Sequence, residues 1–375
     1  MLYAPTQDQQ EFRQAVRSFL ERRAPERGLL GRIEEEDRFD RALWRDMAEQ
    51  LGLQGLTIPE QHGGSEFGPI ELALVLEEHG RALTPVPYFG GAALAVPLIL
   101  ASGDATAQAE HLPAIAAGET IVAAALAEPG SRTGDAPSAM RADASGSLSG
   151  VKTYVADGDL ADLFVVSADT ADGATLFLVA ADAPGVSVRR LTTLDPTRPQ
   201  AELTLDGAPG TRLGEAGAAG PLVADVLQRA TVLLAAEQVG LAERCLEIMV
   251  AYAKDRVQFG VPIGSFQAVK HLCANVLCEV ERARAAAWYA AWAAADAPEE
   301  LATVAPAAKH ICSQAAVTAA ETCIHVLGGI GFTWEHPAHL FFKRAVSSAQ
   351  FVTSQDETLQ RLADELLRAD EGAQS

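Results

Sequence analysis

Tyr252-Ala253-Lys254-Asp255-Arg256-Val257-Gln258-Phe259-Gly260-Val261-Pro262-Ile263-Gly264-Ser265-Phe266 separates two long Ala- and Leu-rich stretches of helical pattern. Gly260, Pro262 and Gly264 are turn residues, so one helix ends here and another begins after Phe266. Arg256 follows the long helix directly and is delivered into a tight turn, with a planar fork of donors suited to phosphate. Taken alone, such an Arg is an ordinary surface charge next to an apolar Phe259 anchor. The stretch gains meaning from what surrounds it.

On its C-terminal side the pattern is helical. Gln267 to Ala294 carries Val269, Cys273, Val276, Val280, Ala283 and Ala287 on one stripe. A further helix is expected over Val304 to Leu327, broken by Gly328-Gly329-Ile330-Gly331-Phe332, and a last one over Asp356 to Leu367. On its N-terminal side one long helix is expected from Val226 to Lys254. Before it, Thr120 to Leu126, Leu148 to Val155, Leu163 to Val166, Ala174 to Val179 and Val186 to Val188 read as short strands separated by Asp, Gly and Ser turns. Together they suggest an antiparallel barrel or sandwich that ends near Gly220. Residues 1–120 are helical in pattern, with Phe12, Val16, Phe19 and Leu20, then Leu43, Met47 and Leu51, at helix spacing. The expected division is 1–120, 121–220 and 221–375.

Composition narrows the function. Of the 375 residues 49% are apolar and 21% charged, which is globular. The net charge of −21 argues against binding a nucleic-acid backbone or an anionic membrane. It leaves room for nucleotide-like ligands, which need only local positive groups. Cys245, Cys273, Cys278, Cys312 and Cys323 form no CxxC pair and read as reduced core thiols of a cytoplasmic protein. Residues 1–23 lack a signal-peptide layout, and no uninterrupted apolar run reaches membrane-spanning length. There is no P-loop, GxGxxG, GxSxG or HExxH motif. His336 and His339 sit beside Glu335 without a third ligand at matching spacing, so no metal is expected.

Four stretches in order then make one pattern: Leu126-Ala127-Glu128-Pro129-Gly130; Leu148-Ser149-Gly150-Val151-Lys152-Thr153-Tyr154-Val155; the Arg256-x-x-Phe259-Gly260 stretch with Phe266-Gln267-Ala268-Val269-Lys270-His271; and Cys323 to His336 with its Gly-Gly-x-Gly run. With the helix–strand–helix order, the chain resembles the acyl-CoA dehydrogenase family over nearly its whole length. The resemblance implies an α+β fold: an N-terminal helical domain, a middle antiparallel β domain and a C-terminal four-helix bundle. It implies FAD as cofactor and α,β-desaturation of an acyl-CoA thioester. The Gly328 to His336 signature is similar to members acting on bulky acyl groups such as steroid side chains, in lipid and steroid degradation.

Residue by residue, the resemblance implies that Arg256 and Phe259 reach the FAD diphosphate across a subunit interface and that Gln267 bonds along the cofactor. Leu126, Ala127 and Thr133 would close on the flavin or thioester, and Tyr154 with Val155 would form the wall beside the ring. Gly328 and Gly329 would let backbone amides approach the adenosine diphosphate. The implied partners are the acyl-CoA, an electron-transferring flavoprotein or similar acceptor, and homologous subunits in a homo- or heterotetramer. Departures are equally specific. Ala127 and Ala156 stand where the family has Thr. Ser354 and Ala230 stand at the two positions where the family places its catalytic carboxylate, so no base is assigned. Asp356 and Glu357 are nearby, and Glu237 is expected to satisfy a buried polar contact. The rival readings are a non-catalytic flavin- or thioester-binding scaffold of the same fold, or a flavin oxidase relative.

Overall fold

The computed structural model describes residues 4–35, 39–130 and 139–373. They pack as two compact units: a helical unit of residues 1–38, 69–84 and 231–375, and a sheet unit of residues 39–68 and 85–230. In chain order the described helices are α1 (Gln7–Arg23), α2 (Glu26–Glu34), α3 (Arg41–Leu51), α4 (Pro69–Ala82), α5 (Val96–Ala101), α6 (Ala105–Ala116), α7 (Ala219–Asp255), α8 (Gln267–Asp296), α9 (Leu301–Leu327), α10 (Ala338–Gln350) and α11 (Gln355–Ala373). Between α6 and α7 run β1 (Val122–Ala125), β2 (Arg141–Ala142), β3 (Ser147–Ala156), β4 (Leu163–Thr170), β5 (Gly173–Ala180), β6 (Val186–Arg190), β7 (Gln200–Pro209) and β8 (Thr211–Leu213). The order is N-terminal helices, a central sheet and C-terminal helices, as the pattern of the chain implied.

In the sheet unit the strands follow the order β6-β7-β3-β2-β4-β5-β8, with β1 added to β4. The sheet is mixed, which corrects the antiparallel expectation: β1 and β2 both pair with β4 in parallel. Parallel neighbours need a long crossover, and residues 126–162 supply it between β1 and β4. Phe164, Val166, Phe177, Val179, Leu203 and Leu205 fill its core. β7 alternates buried Ala201, Leu203 and Leu205 with more exposed residues, a half-buried strand absent from the expected set. Gln54 and Trp44 tie α3 to this unit through bonds from Trp44 Nε1 to the Gly118 carbonyl and from Gln54 to the Trp44 carbonyl.

In the helical unit Leu241, Cys245, Met249, Val276, Val280, Ala316, Ala320 and Phe341 form the core. Small residues set how closely its helices approach. A Cβ on Gly240 would lie 1.8 Å from the Glu77 carbonyl, and one on Gly80 would lie 2.0 Å from the Glu237 carbonyl. The α4 and α7 backbones therefore touch through reciprocal glycines. By length and apolar content Ala219–Asp255 and Pro298–Phe332 would each suffice to cross a bilayer, although the sequence showed no uninterrupted apolar run. Their buried Ala, Val, Leu and Cys residues instead line protein cores. Cys245, Cys312 and Cys323 are core thiols, and burial pushes the Cys312 thiol up to about 12. Cys278 is exposed and Cys273 half-buried, so those two depart from the expectation.

Candidate active site

The loop after β1 and the strand β3, far apart in sequence, are joined by a buried ion pair. Lys152 is 1% exposed. Its Nζ donates to Glu128 Oε1 at 2.6 Å, to the Leu126 carbonyl at 3.1 Å and to Ser167 Oγ at 3.1 Å. Glu128 also accepts from the amides of Ala139 (2.5 Å) and Met140 (3.3 Å). The Thr153 amide donates to the Ala127 carbonyl at 2.9 Å. Burial lowers the Lys152 pKa, and the bond and charge of Glu128 oppose that. The structure thus brings Leu126 and Ala127 against the strand carrying Tyr154 and Val155. Thr133 lies outside the described residues.

Just past Lys152, β3 is bulged. Lys152 pairs with Leu203 and Val155 with Ala201, so β3 uses one more residue than β7 between the two pairs. The bulge places Tyr154 at φ +53°, a left-handed conformation that costs a non-glycine residue about 1–3 kcal/mol. Tyr154 is thereby half-exposed while Val155 is buried. Ala156, in place of the family's Thr, is buried.

In the helical unit α7 ends at Asp255 and the chain doubles back in a two-strand hairpin, β9 (Val257–Gln258) with β10 (Val261–Pro262). Phe259 at φ +53° and Gly260 at φ +80° are its two central residues, the doubly left-handed turn that matches strand twist. The Ile263 amide donates to the Arg256 carbonyl at 2.8 Å and closes the loop. The Phe259 ring is 92% exposed and meets Phe266 edge-on at 6.1 Å. Arg256 is exposed, and among the described residues no carboxylate pairs with its guanidinium. Gln267 opens α8 and is exposed; Phe266 before it provides no side-chain cap for the helix amides. The hairpin therefore groups Arg256, Phe259 and Gln267 within twelve residues.

Gly328 and Gly329 follow α9 at the surface. Gly328 needs its freedom, at φ +67°. Gly329 does not: its φ is not left-handed, and a Cβ there would meet nothing within 4 Å. Gly331 differs, since its Cβ would lie 2.9 Å from the Ile324 carbonyl. Packing within the chain accounts for Gly331 and backbone conformation for Gly328, whereas neither accounts for Gly329. Next to this run the His339 ring meets Trp334 edge-on at 4.6 Å, and His336 Nδ1 accepts from the Ala338 amide.

The segment between α10 and α11 carries Ser354. Ser354 and Glu357 form a capping box at the start of α11: Glu357 Oε2 accepts from the Ser354 amide and from Ser354 Oγ, both at 2.8 Å, and the Glu357 amide donates to Ser354 Oγ at 3.2 Å. Glu357 is committed to the helix end, and Asp356 is exposed. Ala230 is a fully buried apolar residue of α7. Glu237 makes the buried polar contact expected of it, 3.1 Å from the Arg344 guanidinium. A cleft of about 560 Å³ in the helical unit, lined by Arg17, Glu78, Arg81 and Arg244 among others, includes Glu335 and His336 from the end of the Gly328 to His336 stretch but none of the residues assigned to the cofactor.

Comparison with known proteins identifies the class. Residues 6–119 match the acyl-CoA dehydrogenase N-terminal domain, and residues 221–353 match the acyl-CoA dehydrogenase C-terminal domain. The acyl-CoA dehydrogenase IpdE2 of Mycobacterium tuberculosis is 37% identical over 362 residues, covering 96% of this chain and 98% of the relative. Among solved structures, the ChsE4-ChsE5 complex from Mycobacterium tuberculosis aligns with a TM-score of 0.88 at 31% identity, over 98% of this chain and 99% of that one. The Tcur3481-Tcur3483 steroid ACAD G363A variant aligns with a TM-score of 0.86 at 35% identity, over the same shares. The chain belongs to the acyl-CoA dehydrogenase family. It is accordingly a flavin-dependent oxidoreductase acting on acyl-CoA.

Proposed function

We propose that this chain is the FAD-holding, base-lacking subunit of a heteromeric dehydrogenase that desaturates a bulky acyl-CoA, of the steroid side-chain type. The observation that carries the reading is the capping box. A hydroxyl stands at the family's usual base position, and the nearest carboxylate, Glu357, is turned into a helix cap. A Ser hydroxyl has no suitable pKa for removing an α-proton, and Ala230 has no titratable group. The names of the two solved relatives, a two-component complex and a steroid enzyme, point the same way for assembly and substrate.

The residues present fit FAD. Arg256 is an exposed guanidinium without a carboxylate partner among the described residues of a chain of net charge −21, a ready match for a diphosphate. Gln267 and the uncapped amides of α8 would hold the same group, and the open backbone at Gly328 and Gly329 would lie along the adenosine diphosphate. Leu126, Ala127, Tyr154 and Val155 would flank the ring from the sheet unit, using backbone groups where Ala127 and Ala156 replace Thr. When bound, FAD supplies the hydride acceptor for the Cβ of the thioester. The exposed apolar side chains Val257, Phe259, Phe266 and Leu277 fit a subunit interface, as a homologous partner would provide. An electron-transferring flavoprotein or similar carrier would reoxidise the flavin. The segments 1–120, 121–220 and 221–375 would act as separate domains, and the free thiols suit the cytoplasm.

The test is anaerobic flavin bleaching. The purified chain loaded with FAD should bleach little with acyl-CoA thioesters and rapidly once a homologous, base-carrying subunit is co-expressed. General-base catalysis typically contributes about 10²–10⁴-fold, so the contrast is large. Rapid bleaching by the lone chain, abolished in Asp356→Asn or Glu357→Gln, would overturn the reading and identify the base.

A further inference from the structure

Lys309 is a second deeply buried lysine, 1% exposed on the inner face of α9. Its Nζ donates to Ser313 Oγ at 3.0 Å, to the Ser348 carbonyl at 2.9 Å and to the Ala349 carbonyl at 3.2 Å. Two of these acceptors are the last carbonyls of α10, where a positive charge also complements the helix dipole. Gln238 of α7 reinforces the same point, its Nε2 lying 3.0 Å from both Ser313 Oγ and Ser348 Oγ. Two helices, α7 and α9, thus converge on the final turn of α10.

Beyond that turn the backbone is strained. Val352 has φ +65°, a conformation that is an outlier for a β-branched side chain. The Thr353 amide donates to the Phe351 carbonyl at 2.8 Å across it, a tight three-residue turn with positive φ. Phe351, Val352 and Thr353 are all buried. The far end is clamped by the Ser354–Glu357 box and by Thr358 Oγ1, which donates to the Ser354 carbonyl at 2.7 Å. Strain of this kind persists only where the surroundings over-determine it, and it gathers at functional segments.

We propose that Lys309 is a positioning residue: through the end of α10 it holds the strained Phe351–Ser354 segment in the shape that receives the acyl end of the thioester. This rests on the family reading of Ser354 given above. It adds that the segment is kept built for binding in a subunit that has lost the base there.

The test uses the FAD-loaded complex and two probes, a steroid side-chain acyl-CoA and free coenzyme A, titrated calorimetrically. Lys309→Met removes these bonds at similar volume. Val352→Gly keeps the fold and frees the turn, since glycine accepts this φ without strain. Both variants should raise the dissociation constant of the steroid side-chain acyl-CoA about tenfold and leave that of coenzyme A unchanged, with faster amide exchange confined to residues 351–354. A change of thermal midpoint alone, with both constants at wild-type values, would overturn the positioning role. So would an equal weakening of both probes. If Lys309→Met does not fold, Val352→Gly decides alone. Failure of the wild-type complex to bind the steroid side-chain acyl-CoA would overturn the proposed function as well, and so is distinct from either variant result.

Discussion

The corner formed by Glu128 and Lys152 and the hairpin from Arg256 to Gln267 use the same ingredients in opposite ways. Each holds a cation beside an aromatic residue at φ +53°, Tyr154 in one and Phe259 in the other. In the sheet unit the cation is buried and satisfied: Lys152 meets Glu128, a carbonyl and a hydroxyl, and the strain at Tyr154 is absorbed by a bulge within a bonded ladder. In the helical unit Arg256 and Phe259 face outward, and the hairpin that strains Phe259 has only two residues in each strand. The first region is explained by its own chain. The second leaves the Arg256 guanidinium without a carboxylate among the described residues and the Phe259 ring in solvent, which is why the proposed cofactor and partner contacts are placed there.

The largest effect that would break this contrast belongs to the buried corner. Lys152→Met should leave Glu128 buried without its cation, and removing one partner of a buried pair costs about 3–5 kcal/mol. Urea unfolding should show that loss as a lower midpoint; a loss below ~1 kcal/mol would mean that the corner is no more self-contained than the hairpin. Arg256→Ala should behave in the opposite manner. Helical content by circular dichroism should stay intact, while flavin is released in gel filtration, reflecting the loss of one charge-assisted bidentate contact worth roughly 1.5–3 kcal/mol. Full flavin retention would reject the outward-facing role. The smallest effect is expected at Phe259. Phe259→Asn should relieve the left-handed strain and stabilise the isolated chain by ~1 kcal/mol, yet shift light-scattering profiles toward smaller species. An unchanged assembly would remove Phe259 from the interface.

Some of the site was legible before any coordinates. Gly260, Pro262 and Gly264 announced the turn, and Gly328, Gly329 and Gly331 announced a break after α9, because such residues carry backbone conformation in their own chemistry. Glu237 was expected in a buried contact and has one with Arg344. Other features left little local trace. Lys309 and Arg344 look like ordinary helix cations until neighbouring helices bury them. Glu128 and Lys152 lay inside the recognised stretches, but nothing in either stretch stated that they pair across 24 residues. α10 was missed because its short apolar run, Leu340 to Phe342, comes closely after a Gly-rich break.

By itself the sequence determined the order of helices and strands, the places where the chain turns and the family to which it belongs. These arise from hydrophobic period, turn chemistry and motif, all of which act within a few residues of one another. Only the tertiary structure decided which strands run parallel, that Lys152 meets Glu128 inside the recognised stretches, and that Ser354 and Glu357 close a helix cap beside a strained valine. Those outcomes depend on burial. Desolvation forces each polar group to find whichever partner packing has brought near, and that partner lies dozens of residues away as readily as three.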